Sequence, residues 1–254
     1  HAAGMDISFE CVSQGANFDL YKITLKFYRD CSSGADAPGV GNNTGNDPIL
    51  NYSSSCGSYS DPFAFTSGPV YITPNCTGSG TPCSGSSSLV ELEEYTYEKI
   101  INIDKCDDWV FSVCINNRNA SITTVTGADN YSLCVEAELN NLIFCNNSPT
   151  FTEYPAPYIC VNESYCFNNG AIDTAERDSI SYSFAKAFRN QNQVCSYNGT
   201  RTYLDPLATY YPGTLAWPYC NPNANPPIGT CLDPETGDII FTPVNCSEVA
   251  VVVI

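Results

Sequence analysis

The stretch MDISFEC at residues 5–11 decides the fold class, because apolar and polar residues alternate along it without interruption. The stretch YKITLKF at residues 21–27 repeats this alternation after a turn-forming segment at 13–17. A period of two gives each segment one buried and one solvent-facing side, which is typical of β-strands. The two segments therefore predict a β-hairpin, and the turn-rich composition predicts an all-β chain.

Outward from this hairpin, further strands are predicted at 95–103, 109–114, 131–139, 158–161, 179–184, 238–242 and 249–254. Residues 32–60 form a long polar segment that predicts a loop, and 183–190 is a short helix-like stretch. The polar hinge CNNSPTF at 145–151 has the composition of a domain boundary. We therefore predict two immunoglobulin-like or cadherin-like β-sandwich domains stapled by disulfides, a disulfide-rich domain at 1–148 and a cadherin-like domain at 149–254. The apolar final segment predicts that the second domain continues beyond residue 254 or pairs with a partner.

Cysteine usage predicts an oxidising, extracellular environment. The chain has 15 cysteines and no CxxC pair, which favours disulfides over a zinc ribbon. The count is odd, so we expect one thiol to be free, to pair between chains or to have a partner elsewhere. The disulfide candidates are Cys11, Cys31, Cys56, Cys76, Cys83, Cys106, Cys114, Cys134, Cys145, Cys160, Cys166, Cys195, Cys220, Cys231 and Cys246.

The charge balance limits the classes of partner. Ten basic residues against 27 acidic ones give a formal net charge of −17, which disfavours nucleic acids and anionic lipid. No apolar run reaches the roughly 18 residues of a membrane-spanning helix, so direct membrane insertion is not predicted. Because the sequence begins with His1 rather than Met, we expect that a leader has been removed.

Catalysis is not predicted. The chain has a single histidine, His1, so a copper site built on an N-terminal histidine would lack its second histidine. The same count removes Ser-His-Asp and Cys-His catalysis unless His1 were the base. No motif distinguishes an acid and a nucleophile among the carboxylates, so we predict a protein that is not an enzyme.

Calcium is the cofactor hypothesis that the sequence favours, and no other cofactor is predicted. Asp173, Glu176 and Asp178 lie within six residues on a turn, and the hinge supplies Asn146 and Asn147. Oxygen ligands on such a loop suit a hard cation, although an ordinary polar turn would explain the same residues.

Several segments resemble one protein family. They are HAAGMDISFEC at 1–11, KFYRDC at 26–31, CDDWVFS at 106–112, NNSPTF at 146–151 and DPETGDIIFTP at 233–243. These resemble the mature N-terminal region of gliding-motility-associated, type IX secreted, SprB-like bacterial surface adhesins. The resemblance covers most of the chain outside 190–225. It implies export by a signal peptide and the type IX machinery, further repeats after this region, and a role in adhesion and motility.

Candidate sugar-attachment sites come from two patterns. The resemblance implies O-glycosylation at Thr174 and Ser179, where Asp precedes the hydroxyl residue and an apolar residue follows it. This role would compete with calcium for the same turn. Independently, the N-x-S/T pattern marks Asn42, Asn51, Asn75, Asn119, Asn130, Asn146, Asn162, Asn198 and Asn245.

Three functions remain as hypotheses for the chain. The first is an extracellular structural and adhesive module of a bacterial cell-surface protein, linked to gliding motility or surface attachment. Its partners would be further domains of the same polypeptide, other copies, surface glycans or solid surfaces. The second is a filament subunit, with Val249, Val251, Val253 and Ile254 exchanged by strand addition. The third is a carbohydrate-binding module that uses Tyr203, Tyr210, Tyr211, Trp217 and Tyr219.

Overall fold

A computed structural model of the chain describes residues 2–31, 36–72, 91–116, 118–155 and 158–254. These residues are nearly all β, with 3₁₀ turns and no α-helix among them, so the all-β prediction is confirmed. The strands are β1 (Ala2–Gln14), β2 (Phe18–Asp30), β3 (Ile49–Ser54), β4 (Gly57–Pro62), β5 (Ala64–Tyr71), β6 (Leu92–Asp104), β7 (Trp109–Ile115), β8 (Leu133–Leu139), β9 (Thr150–Phe151), β10 (Tyr165–Asn168), β11 (Ala171–Ile172), β12 (Phe188–Asn190), β13 (Gln193–Val194), β14 (Cys231–Leu232) and β15 (Asp238–Phe241).

Two four-stranded antiparallel sheets form the first part of the molecule. Their strand orders are β1-β2-β6-β5 and β4-β3-β7-β8. One hydrophobic core takes side chains from both sheets, among them the fully buried Tyr21 and Leu25 of β2 and Trp109 and Phe111 of β7. Burial of alternate residues explains why the alternating segments become strands, because each sheet turns one face to this core.

The second part of the molecule contains shorter sheets and more irregular chain. Its three sheets are β10-β15-β14, β9-β11 and β12-β13. Residues 118–132, which connect β7 to β8, pack on this part: Thr126 N donates to Ser196 O at 2.9 Å and Ser132 N to Arg189 O at 3.2 Å. The predicted domain boundary between residues 148 and 149 stays a prediction. Residues 118–132 precede it in the chain but pack on the part that follows it.

The structure corrects four of the predicted elements. Residues 158–161, 179–184 and 249–254 form no strand, and 183–190 contains β12 instead of a helix. The last segment makes backbone bonds to two different partners: Val249 O accepts from Thr123 N, and Val253 O from Ala185 N, each at 2.9 Å. A regular ladder needs one continuous partner, so strand-like composition alone does not produce a strand here.

The polar segment 32–60 also differs from its prediction, because it contains β3 and the start of β4. Leu50 and Tyr52 of β3 are buried, while Asn51 between them and Ser53 and Ser54 after them are partly exposed. The alternation is present but is carried by only two large apolar residues. The polar residues around them conceal it from a reading of composition.

Four disulfides join described residues: Cys11–Cys145, Cys56–Cys106, Cys114–Cys134 and Cys220–Cys231. Cys31 is disulfide-bonded as well. The four disulfides indicate an oxidising environment, extracellular or periplasmic. The structure differs from the prediction at four cysteines, which are thiols: Cys160, Cys166, Cys195 and Cys246. Cys76 and Cys83 lie outside the described residues, as do His1 and Asn75. Among the residues that the structure covers, no helix is long and apolar enough to cross a membrane.

Candidate functional site

Three consecutive large apolar side chains are exposed directly after β8. Leu142, Ile143 and Phe144 are 51%, 69% and 73% exposed. They belong to residues 140–145, which we name the tip loop. Val12, next to Cys11 at the end of β1, adds a fourth exposed apolar side chain near this loop. An exposed apolar patch of this kind is a candidate contact surface.

A buried polar network anchors the start of the tip loop. The Asn141 side chain is fully buried, and its Nδ2 donates to Asp19 Oδ2 at 3.0 Å. Its Oδ1 accepts from Cys106 N at 2.9 Å, and its own backbone N donates to Cys106 O at 3.0 Å. Lys105 Nζ lies 3.1 Å from the same Asp19 oxygen, so the buried carboxylate is paired and hydrogen-bonded. A satisfied buried network of this kind fixes the backbone, because breaking it would leave a charge without a partner.

A covalent bond anchors the end of the tip loop. Cys145 is bonded to Cys11 of β1, and Gln14 Nε2 donates to Ile143 O at 3.3 Å. Just after the loop, Ser148 N donates to Phe9 O at 3.0 Å, while Phe9 N donates to Ser148 Oγ at 2.9 Å. The loop is therefore tied at both ends to the β1–β2 hairpin. Between these ties its apolar side chains face solvent.

A cleft of about 620 Å³ lies beside the outer face of the same hairpin. Residues 147–151 and 172–175 form its opposite wall, so the predicted Asp173 and Thr174 line it. Lys22 and Lys26 on the hairpin side have carboxylate partners: Lys22 Nζ lies 2.7 Å from Glu10, and Lys26 Nζ lies 3.5 Å from Glu94. Both lysines of this cleft are thus paired with carboxylates.

The residues predicted for calcium are divided between two tasks. Asp173 Oδ1 accepts from the backbone N of Ala175 at 3.1 Å, and Oδ2 accepts from Asp178 N at 2.9 Å. These backbone donors lower the pKa of Asp173 below its ordinary value, and the backbone N–H of Asp178 has the largest effect. Glu176 Oε1 instead accepts from the hinge residue Asn147 at 2.7 Å. Asp173 therefore closes its own loop and Glu176 binds the hinge, and calcium stays a prediction.

One acidic group among the described residues does bring its ligand atoms within 4.8 Å of one another: Cys106, Asp107 and Asp108. The sulfur of Cys106 is bonded to Cys56, so it is not a thiolate ligand. Asp108 accepts from Ser55 N at 3.0 Å and holds the β3–β4 turn against the β6–β7 turn. The group is explained by this structural role.

The candidate glycosylation residues differ in accessibility. The exposed ones are Thr174, Ser179, Asn42, Asn130, Asn162 and Asn245, and the half-buried ones are Asn51, Asn119, Asn146 and Asn198. Two of the half-buried amides are used as donors: Asn119 Nδ2 to Asp30 at 3.3 Å and Asn198 Nδ2 to Thr123 O at 2.7 Å. A sugar on either amide would have to replace that hydrogen bond.

The residues of the other two hypotheses are also placed. Of the five aromatic residues proposed for sugar binding, Trp217 and Tyr219 are exposed, and the other three are half-buried. In the final segment, Val251 and Val253 pack against the cluster of Val125 and Ala187 in their own chain. Ile254 and Ala250 pack against the cluster that contains Leu207 and Phe241. Strand exchange would have to release these contacts.

No protein-family model matches the sequence, and comparison with curated proteins and with solved structures likewise gives no match. The function therefore has to be inferred from the described residues and their contacts. The tip loop was missed in the sequence, although the apolar triplet Leu142-Ile143-Phe144 in a polar, Asn-rich context next to Cys145 was a signal for it.

Proposed function

We propose that the chain is an extracellular structural and adhesive module that contacts its partner through the tip loop. The observation that carries this proposal is the doubly anchored apolar triplet Leu142, Ile143 and Phe144. Exposing three large apolar side chains to water is unfavourable in free energy. The buried Asn141–Asp19 network and the Cys11–Cys145 bond nevertheless hold them at the surface. A contact surface is the function that this arrangement serves.

We further propose that the first part is an immunoglobulin-like sandwich. Its strand orders, β1-β2-β6-β5 and β4-β3-β7-β8, correspond to the ABED order and to a CFG sheet extended by one strand next to C. In such domains the loops cluster at the two ends of the sandwich, where they bind partners. The tip loop, which follows the last strand of the second sheet, lies at one of these ends.

The position of the Cys11–Cys145 bond suits a module that bears load. Its two cysteines are 134 residues apart, so the bond encloses β2 to β8. Tension that reaches Cys11 and Cys145 from outside this loop passes through the covalent bond and bypasses β2 to β8. The proposed setting, a bacterial cell surface engaged in gliding or attachment, is supported by the sequence resemblance alone.

Adsorption to an apolar surface tests the proposal. The purified chain is passed over a methyl-terminated monolayer, and the bound mass is compared with that of a variant carrying Leu142→Ser, Ile143→Ser and Phe144→Ser. Burying a large apolar side chain is worth roughly 1.5–3 kcal/mol, so each lost contact should weaken binding at least about tenfold.

The matched control carries Val70→Ser, Tyr71→Ser and Ile100→Ser, three side chains of similar exposure on β5 and β6. Near-ultraviolet circular dichroism checks that both variants keep the native packing. If the control loses binding and the tip-loop variant keeps it, adhesion by the tip loop is wrong.

The alternatives have their own tests. For a filament subunit, deletion of residues 249–254 should abolish polymers seen by electron microscopy. For a carbohydrate-binding module, Tyr210→Ala or Trp217→Ala should abolish binding on a glycan array. Neither result would follow from a contact made by the tip loop.

A further inference from the structure

Two arginines have no carboxylate partner at the place where the β7–β8 connection meets β12. Arg118 is 1% exposed, and Arg189 of β12 is half-buried. Neither belongs to the ion pairs between described residues, unlike Arg29 and Arg201. The residues outside the described ranges contain no Asp or Glu that could supply the missing charge. A fully buried cation without a counter-charge is strongly unfavourable, so this arrangement requires an explanation.

The Arg118 guanidinium uses only part of its hydrogen-bonding capacity. Its Nη2 donates to Phe188 O at 2.7 Å and to Ser132 O at 3.1 Å. Its Nε and Nη1 are buried and have no hydrogen-bond partner among the described residues. Most of the N–H donors of a guanidinium belong to these two atoms. Buried donors are normally satisfied, so the unused ones of Arg118 indicate a missing acceptor.

A second guanidinium lies close to the first. Ser132 joins the two arginines, because its O accepts from Arg118 and its N donates to Arg189 O at 3.2 Å. Arg189 Nη1 donates to Tyr131 OH at 3.3 Å, while its Nε is buried without a hydrogen-bond partner. The positive charges of both arginines act on the sulfur of Cys195, a buried thiol. Unused N–H donors of two cations therefore occur near one buried sulfur.

The weakly acidic groups beside Arg118 do not supply the counter-charge. They are the thiol of Cys195 and the hydroxyl of Tyr197. Burial raises the pKa of Cys195 and of Tyr197 above their ordinary values, and this effect exceeds the lowering by the Arg118 charge. Both groups are therefore neutral at pH 7. Burial lowers the pKa of Arg118, yet a guanidinium keeps its proton in proteins. The counter-charge has to come from outside the chain.

We propose that Arg118 and Arg189 bind a small inorganic anion of the halide class, such as chloride, beside Cys195. The ion accepts from the unused N–H donors and supplies one negative charge to the fully buried Arg118, while the half-buried Arg189 keeps contact with water. Because Arg118 is 1% and Cys195 5% exposed, a small spherical ion suits this position better than a phosphate or a carboxylate. The ion fixes the β7–β8 connection to β12. The inference does not depend on what the tip loop binds.

Bromide in place of chloride locates the ion directly. The full chain, produced with its disulfides, is crystallised from sodium bromide, and anomalous scattering is measured at the bromine absorption edge. We expect an anomalous peak in contact with the Arg118 guanidinium. A map whose peaks are confined to exposed lysines and arginines would show an adventitious ion only and would overturn the proposal, as would a map without peaks.

Chloride-dependent unfolding tests the site in solution. Sodium chloride replaces sodium gluconate at constant ionic strength, so that screening of the net negative charge stays the same. An ion that binds only the folded chain lowers the unfolding equilibrium constant about tenfold for each tenfold rise in chloride above its dissociation constant. Arg118→Met should remove this dependence. The matched control is Arg177→Met, which neutralises an exposed arginine and should keep it.

Two further variants keep the solution test decisive. If Arg118→Met does not fold, Arg189→Met takes its place and should shift the dependence to higher chloride concentrations. Cys195→Ser keeps a neutral group beside Arg118 and should leave the dependence unchanged. A thiolate counter-ion would give the opposite pattern, in which the wild type is insensitive to chloride and Cys195→Ser becomes sensitive. That pattern, or equal sensitivity in the wild type and Arg118→Met, would overturn the proposal.

Discussion

Removing the Cys11–Cys145 bond should destabilise the chain more than removing any other disulfide between described residues. The perturbation is the double substitution Cys11→Ser and Cys145→Ser, which leaves no unpaired thiol behind. This bond closes a loop of 134 residues, compared with 50 for Cys56–Cys106, 20 for Cys114–Cys134 and 11 for Cys220–Cys231. A cross-link acts mainly by limiting the conformations of the unfolded chain, and longer loops limit it more.

The expected magnitude follows from the loop lengths. Loop-closure entropy gives about 5 kcal/mol at 25 °C for the loop between Cys11 and Cys145. The same relation gives about 3 kcal/mol for the loop between Cys114 and Cys134. The difference of about 2 kcal/mol between the two double variants should be measurable, because one to two kcal/mol is a large part of a domain's stability.

Urea unfolding at 25 °C, followed by tryptophan fluorescence, measures both free energies. Trp109 is fully buried in the shared core and reports its loss. The matched control is the Cys114→Ser, Cys134→Ser variant, which also removes two sulfurs from the first part of the molecule. A control that loses as much free energy of unfolding as the Cys11–Cys145 variant would refute the loop-length reasoning. Native-state packing around the bonds would then determine the cost.

Further predictions concern buried and titrating side chains. Asn141→Ala should lower the free energy of unfolding by about 1–3 kcal/mol, because Cys106 N and Asp19 lose a buried partner; an unchanged urea midpoint would contradict the anchoring role. Burial raises the pKa of Asp6 above its ordinary 3.8, so the native state holds this proton more tightly. Its contribution to stability falls as the pH rises from 3.8 through the raised pKa. Asp6→Asn should remove this fall when thermal unfolding is measured between about pH 3 and 7. Asp173 has a lowered pKa, so its contribution is full above 3.8 and is lost as pH decreases. Asp173→Asn should reduce this loss of stability at low pH. A larger loss would contradict the role of the backbone hydrogen bonds to Asp173.

Sequence alternation predicted the fold where large residues carry it. In β2 the apolar positions Tyr21, Ile23, Leu25 and Phe27 are all buried, as the period of two requires. Residues 179–184 and 249–254 have comparable composition but form no strand. The difference is physical, because a strand exists through pairing with another segment. Pairing depends on distant residues that a local pattern does not contain.

The candidate site was less accessible to sequence reasoning for the same reason. Asn141 and Asp19 are 122 residues apart, and Cys11 and Cys145 are 134 residues apart. Fifteen cysteines allow far too many pairings for the sequence to choose among them. A local reading also assigns an apolar triplet such as Leu142-Ile143-Phe144 to the interior. The triplet stays exposed because the Asn141–Asp19 network and the Cys11–Cys145 bond hold the loop at the surface. Both join residues that are far apart in the sequence.

The two anchors of the tip loop also bear on how it can bind. A flexible loop loses conformational entropy when it docks, and this loss reduces affinity. Here the β1–β2 hairpin supplies Cys11, Gln14 and Asp19, and each of them fixes the loop before any partner is present. The cost of ordering the loop is therefore met during folding and oxidation. On the proposed function, stability and adhesion are linked through one hairpin, so a change that loosens the hairpin should weaken both.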